Sequence, residues 1–188
     1  MTELPEQPAK LQHPQLSLLA TVNVPIKLGL MAYLVPALPA ASRLDGHQAE
    51  LETLTLLRHK LSQAFTIYHS VHWTRAGSTV PMFGEADFII VNPAGSMLVI
   101  EQKRGPLEES SDGLHKRYGD SLKSVPVQIH RTLDGLRDKF KRQTGHRLTL
   151  DYLLFCPDHR VTNLAAAGLD AERIVDARHS DTQARPPD

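Results

Sequence analysis

Two apolar runs of strand length constrain this chain more than anything else in it. Gly84-Glu85-Ala86-Asp87-Phe88-Ile89-Ile90-Val91 and Met97-Leu98-Val99-Ile100-Glu101-Gln102-Lys103 are separated by Asn92-Pro93-Ala94-Gly95. Turn residues between two such runs specify an antiparallel hairpin. Acidic groups stand where packing alone would place none. Asp87 starts the first expected strand, and Glu101 and Lys103 end the second. A hairpin sets the beginning of one strand beside the end of the other. Two carboxylates and an ammonium are therefore expected to meet at one end of a sheet, an arrangement suited to a hard divalent cation and a phosphate.

The remaining pattern surrounds this hairpin with helices and further strands. Ala49 to Ala64 has helical periodicity, with Leu51, Leu54, Leu57, Leu61 and Ala64 on one face and Asp45 in the capping region. Phe65 to Trp73 alternates β-branched and aromatic residues and reads as a strand. Ala76-Gly77-Ser78 is a turn. Gly105 to Gly119 is polar and glycine-marked, which predicts a loop. Val125 to Gln143 carries an apolar stripe of Val127, Ile129, Leu133, Leu136 and Phe140, with Gly145 as its stop. Leu148 to Phe155 is a strand ended by Pro157, Ala165 to Ala171 a short helix or turn, and Ile174-Val175 a short closing strand. This order predicts an α/β domain over residues 43–178, with a mixed central β-sheet flanked by helices. Residues 1–42 are expected to form an extension, partly disordered or loosely docked, and 179–188 a disordered tail.

Within the extension, Leu16 to Ala41 is apolar, but Asn23, Pro25, Lys27, Pro36 and Pro39 break it. It lacks the run of about 18 apolar residues that a membrane span needs. Glu3 and Glu6 stand where a signal peptide carries basic residues. Met31 is a candidate alternative start, because the globular pattern begins just after it. Cys156 is the only cysteine, so no disulfide forms within the chain, which fits a reducing, cytoplasmic setting. The formal net charge is +0, so no global field draws the chain to nucleic acid or to a membrane. Locally, Arg104, Lys116, Arg117, Lys123, Arg131, Arg137, Lys139, Lys141, Arg142 and Arg147 crowd the stretch after the hairpin. They form either a solvated helix face or a phosphate-facing strip.

Phosphodiester hydrolysis brings an anionic nucleophile to an anionic phosphorus. A Mg²⁺ or Mn²⁺ ion reduces that repulsion and lowers the pKa of a bound water. Asp87 and Glu101 offer two carboxylates, and the backbone carbonyl of Gln102 offers a third oxygen. Strand alternation puts Glu101 and Lys103 on one face, where the Lys103 ammonium can orient water or stabilise an oxyanion. Competing chemistries lack their parts. His69 and His72 should face opposite sides of a strand, Cys156 and His159 have no second pair for zinc, and neither a Gly-x-Ser-x-Gly elbow nor a Walker-type phosphate loop occurs.

Asp87, a spacer, and then Glu101-Gln102-Lys103 resemble the D…(D/E)-x-K core of the PD-(D/E)XK nuclease superfamily. Gly84-Glu85-Ala86-Asp87-Phe88, Val91-Asn92-Pro93-Ala94-Gly95 and Val99-Ile100-Glu101-Gln102-Lys103 look more narrowly like the nuclease-related domain called NERD, over roughly 46–157 in element order. The resemblance implies a restriction-endonuclease-like core and Mg²⁺- or Mn²⁺-dependent cleavage of DNA to 5′-phosphate and 3′-hydroxyl ends. It implies a Glu on the first helix, for which Glu50 fits better than Glu52, and a Gln on the helix after the triplet, matched by Gln128. It departs from the family in having Ala86 in place of the proline and Gln102 between Glu101 and Lys103. Since the chain lacks its own nucleotide-hydrolysis motor, any helicase partner is a separate protein. A homodimer is compatible with the class, but no residue demands one. The alternative is a catalytically inert nuclease-fold module that binds nucleic acid or a protein partner.

Overall fold

The structure is a computed structural model that describes residues 31–37, 48–75 and 82–181. The expected cap at Asp45, the turn at 76–78, most of the extension and the end of the tail lie outside the described residues.

A six-stranded mixed sheet forms the centre. In chain order its strands are β1 (Tyr33–Val35), β2 (Thr66–Arg75), β3 (Met82–Val91), β4 (Met97–Gln102), β8 (Leu150–Cys156) and β9 (Ile174–Asp176), which is also their spatial order. β2, β3 and β4 run antiparallel, while β1 pairs parallel to β2, and β8 and β9 add parallel to β4. The sequence places Tyr33–Val35 in an extension, yet it is an edge strand. Its neighbour Ala32 is 4% exposed and donates its N–H to the carbonyls of Arg58 and Leu61.

Helix α1 (Gln48–Lys60) covers one face. Its Leu54 and Leu57, with Leu61 just beyond, pack on Ile67, Phe88, Ile90, Ile100 and Leu153. Each buried leucine contributes about 2 kcal/mol. The helix ends four residues before the expected Ala64, which is exposed. There the incoming Ala32 takes the terminal carbonyls, and Ser62 Oγ accepts from the Ala64 N–H. Helix α2 (Val125–Thr144) covers the other face, with Ile129 and Leu133 against Ile89, Val99, Leu154 and Ile174. Ser124 caps its start by accepting from the Val127 N–H, and Gly145 closes it at φ 74°, a left-handed value that suits glycine.

The segment read as a loop over 105–119 is instead most of a small second sheet. Strands β5 (Glu108–Ser110), β6 (Gly113–Tyr118) and β7 (Ser121–Ser124) pair antiparallel. Its polar composition hides two anchors, since Leu107 and Leu114 are buried in the α2-side core. Glu109 ties this sheet to the chain after β8. It accepts from the backbone amides of Thr162 and Asn163, the Thr162 hydroxyl and His159. Burial opposes its charge, but these donors overcome it and draw its pKa down to about 2. The chain closes with a short helix, α3 (Ala177–Asp181), which runs past the expected boundary at 178.

Candidate active site

The hairpin turn forms as its residues dictate. Asn92 Oδ1 accepts from the amides of Ala94 (3.0 Å) and Ser96 (2.9 Å), and Gly95 takes φ 78°. This fixes the register of β3 on β4, with Phe88 opposite Ile100 and Ile89 opposite Val99.

Asp87 does not start its strand. β3 begins at Met82, because β2 partners it along its whole length. What stops at this point is the β3–β4 ladder, whose last pair is Phe88 with Ile100. On the other side, the β2–β3 ladder passes from His69–Phe88 to Val71–Ala86 with no pair between Ser70 and Asp87. Ser70 there adopts φ 50°, a conformation uncommon for a non-glycine residue. The side chains change face at the same place. Ile67, Phe88 and Ile90 belong to the α1-side core, whereas Val71 and Ala86 belong to the α2-side core. Regular alternation would put Ile67 and Val71 on one face; both strands turn over together between them. Asp87, at the turnover, projects along the sheet and accepts the Gln102 N–H through Oδ2 at 2.7 Å. Its carboxylate occupies the ladder position of a strand carbonyl.

Glu101 and Lys103 follow the expected alternation. Glu101 is 1% exposed and Lys103 5%. Glu101 Oε1 accepts from Lys103 Nζ at 2.5 Å and from Gln128 Nε2, on the first turns of α2, at 2.5 Å. Its other oxygen, Oε2, is buried with no hydrogen-bond partner. The structure thus brings Asp87, Glu101, Lys103 and Gln128 together. Glu50, in the first turn of α1, is half-buried and near enough to act on the charge of Asp87. Glu52 is exposed and accepts from Gln48. The Gln102 side chain is 7% exposed, and both of its amide atoms are buried without partners. A strand residue directs its N–H and C=O to the same edge, so the Gln102 carbonyl faces the same side of β4 as the amide that Asp87 holds.

Electrostatics follow from this crowding. Burial and the neighbouring Glu101 push Asp87 up to about 7, against the Gln102 N–H and Lys103. Burial also raises Glu101, partly offset by Lys103, with Glu85 adding repulsion. Burial works against the Lys103 ammonium, but Glu101 and Asp87 outweigh it and raise its pKa. Lys103 is therefore a cation and donor at neutral pH, not a base. Glu85 is a strand residue opposite His72.

Two buried carboxylates, one with an orphaned oxygen, are costly for an apo protein and suited to a hard cation. Asp87, Glu101 and the Gln102 carbonyl are the oxygens such an ion would use. Among the described residues, no group of three His, Cys, Asp or Glu side chains is set to hold a metal. The donor set fits Mg²⁺ or Mn²⁺, since Mg²⁺ takes one or two carboxylates and keeps several waters.

A groove of about 600 Å³ adjoins the cluster and is lined in part by Trp73, Tyr118, Lys123, Val127, Gln128 and Arg131. Sequence reasoning missed most of it, because its residues come from β2, β3, β6, β7 and α2 and share no local pattern. Trp73 is seated between two glycines: a Cβ at Gly84 or Gly135 would collide with its indole ring. Cys156 is buried in the core, and burial pushes its thiol up to about 12, so it is no nucleophile. Lys116, a candidate phosphate contact by sequence, instead bonds the carbonyls of Arg104 and Pro106.

Residues 45–158 match the family model of a nuclease-related domain, NERD. No curated protein and no solved structure matches the chain.

Proposed function

We propose that this chain, which belongs to the nuclease-related domain (NERD) family, is a metal-dependent nuclease that hydrolyses phosphodiester bonds in DNA. The observation that carries this reading is the buried, unpartnered Oε2 of Glu101 beside the buried carboxylate of Asp87. Among the described residues no donor reaches that oxygen, and a divalent cation would compensate it.

Asp87, Glu101 and the Gln102 carbonyl would hold the ion. Bound there, Mg²⁺ or Mn²⁺ supplies a water of lowered pKa and charge neutralisation at the phosphate. Lys103 keeps its proton and donates toward the charge that develops on the phosphoryl oxygens. Gln128 positions Glu101 by donating to Oε1, and Oε2 has no hydrogen-bond partner among the described residues. Glu50 adds negative charge on the α1 side of Asp87 and favours cation capture. The single cysteine, reduced and buried, accords with work in the cytoplasm. No helix among the described residues is long and apolar enough to cross a membrane. A separate helicase and a second copy of the chain are partners compatible with this reading.

The test is cleavage of linear, circular and single-stranded DNA with Mg²⁺, Mn²⁺ or EDTA. Asp87→Ala, Glu101→Ala and Lys103→Ala should each lower metal-dependent cleavage by about 10³-fold or more while the fold persists by circular dichroism. Undiminished cleavage by Asp87→Ala overturns the assignment. The competing reading, an inert nuclease fold, draws support from the small donor set, two carboxylates with no third acidic or imidazole ligand among the described residues. Calorimetry with Mn²⁺ separates the two, because the inert module gives no binding heat.

A further inference from the structure

We propose that the groove beside the carboxylates is a seat for unpaired DNA, so that the preferred substrate is a single strand or a frayed end rather than intact duplex. The proposal rests on the nuclease reading only for what happens at the adjoining cluster; the groove's own chemistry argues for the strand.

The groove joins the cluster at two points. Gln128 lines it while donating to Glu101. Tyr118 lines it and lies near enough to Lys103 to act on that ammonium electrostatically. A chain lying along it would therefore pass the site at which cleavage is proposed.

Its walls suit bases and phosphates together. Tyr118 is 47% exposed, and Lys123 Nζ stands 5.3 Å from its ring centroid. That contact sets an ammonium over one face of a half-exposed ring. Arg131, one α-helical turn beyond Val127, adds a guanidinium. Val127 (54% exposed) and Phe83 (71% exposed) add apolar surface at the rim. One carboxylate, Glu85, also lines the groove; a phosphate is therefore best placed toward Lys123 and Arg131. Two cations and an exposed aromatic in one groove form the pattern that binds single strands, where each base offers a face for stacking. In a duplex those faces are hidden, and affinity comes from many phosphate contacts on a broad basic surface. This groove provides two cations, and the chain as a whole has formal net charge +0.

The test is fluorescence anisotropy with a labelled thymidine oligonucleotide of about 12 nucleotides and a duplex of equal length, in Ca²⁺ to hold back cleavage. The single strand should bind about tenfold or more tightly than the duplex. Tyr118→Ala should weaken single-strand binding about tenfold and leave duplex binding unchanged, while Tyr118→Phe keeps the wild-type affinity. Equal or tighter duplex binding overturns the inference, as does a Tyr118→Ala variant that binds the single strand normally. The outcome is separable from the nuclease reading. Single-strand binding without any metal-dependent cleavage sinks the nuclease and keeps the groove. Cleavage of duplex with no preference for the single strand keeps the nuclease and sinks the groove.

Discussion

At Asp87 the side chain does work that backbone does elsewhere in the sheet, and its protonation decides two quantities at once. In the unfolded chain it ionises near the ordinary 3.8, and in the fold near about 7. Between those values the folded protein keeps a proton that the unfolded chain has released, so apo stability falls as pH rises through that window. Above about 7 the penalty is fully present. Asp87→Asn, which keeps an oxygen for the Gln102 amide, should raise apo stability at about pH 8 by on the order of 2 kcal/mol. That gain should vanish near about pH 4. Metal affinity has the opposite slope, since only the carboxylate binds: calorimetric Mg²⁺ affinity should climb as pH passes about 7 and be absent in Asp87→Asn. A flat affinity across that range would mean that Asp87 is not a ligand. Of this, the sequence shows the residue types and the alternation of Glu101 with Lys103. It does not show the turnover at Ser70 and Asp87, because positive φ at a serine leaves no compositional mark.

At the level of elements, the long strands and both main helices are legible from periodicity, and the helix end at Gly145 from its chemistry. The small β5–β7 sheet is not, because its strands have three, six and four residues and its anchors are single leucines in polar surroundings. β1 is hidden for a similar reason, being three residues long. The glycine of the Gly84-Glu85 pair is legible as a family mark but not as a packing device. The structure supplies the reason, since Trp73 lies across both Gly84 and Gly135. Gly84→Ala or Gly135→Ala should cost about 1–3 kcal/mol in denaturant unfolding through displacement of the indole. Because Trp73 also lines the groove, these variants should perturb nucleic-acid binding as well. A variant with unchanged stability would show that Trp73 has room to move.

On the scale of the whole molecule, charge is balanced and function is local. Negative groups collect at the cluster, and the cations available to a strand in the groove are Lys123 and Arg131. Binding to a single strand should therefore lose affinity gently with salt, with a slope of log K against log salt of about −1.4 for two phosphate contacts. An anisotropy titration from about 50 to 200 mM salt measures it; a slope steeper than about −3 would require phosphate contacts outside the groove. The overall architecture was foreseeable because helix and strand periodicities alternate along the chain. Which faces enclose the groove was not, since five separate elements meet there only after folding.

A seam of ordinary peptide groups has no means of sensing its surroundings. Where β3 meets β4 at Asp87, cohesion passes through a group that takes up hydrogen ions and, under the proposed function, would also answer to a divalent one. On the proposed reading, the stitching of two strands and the filling of the pocket beside them would be coupled, because one carboxylate serves both.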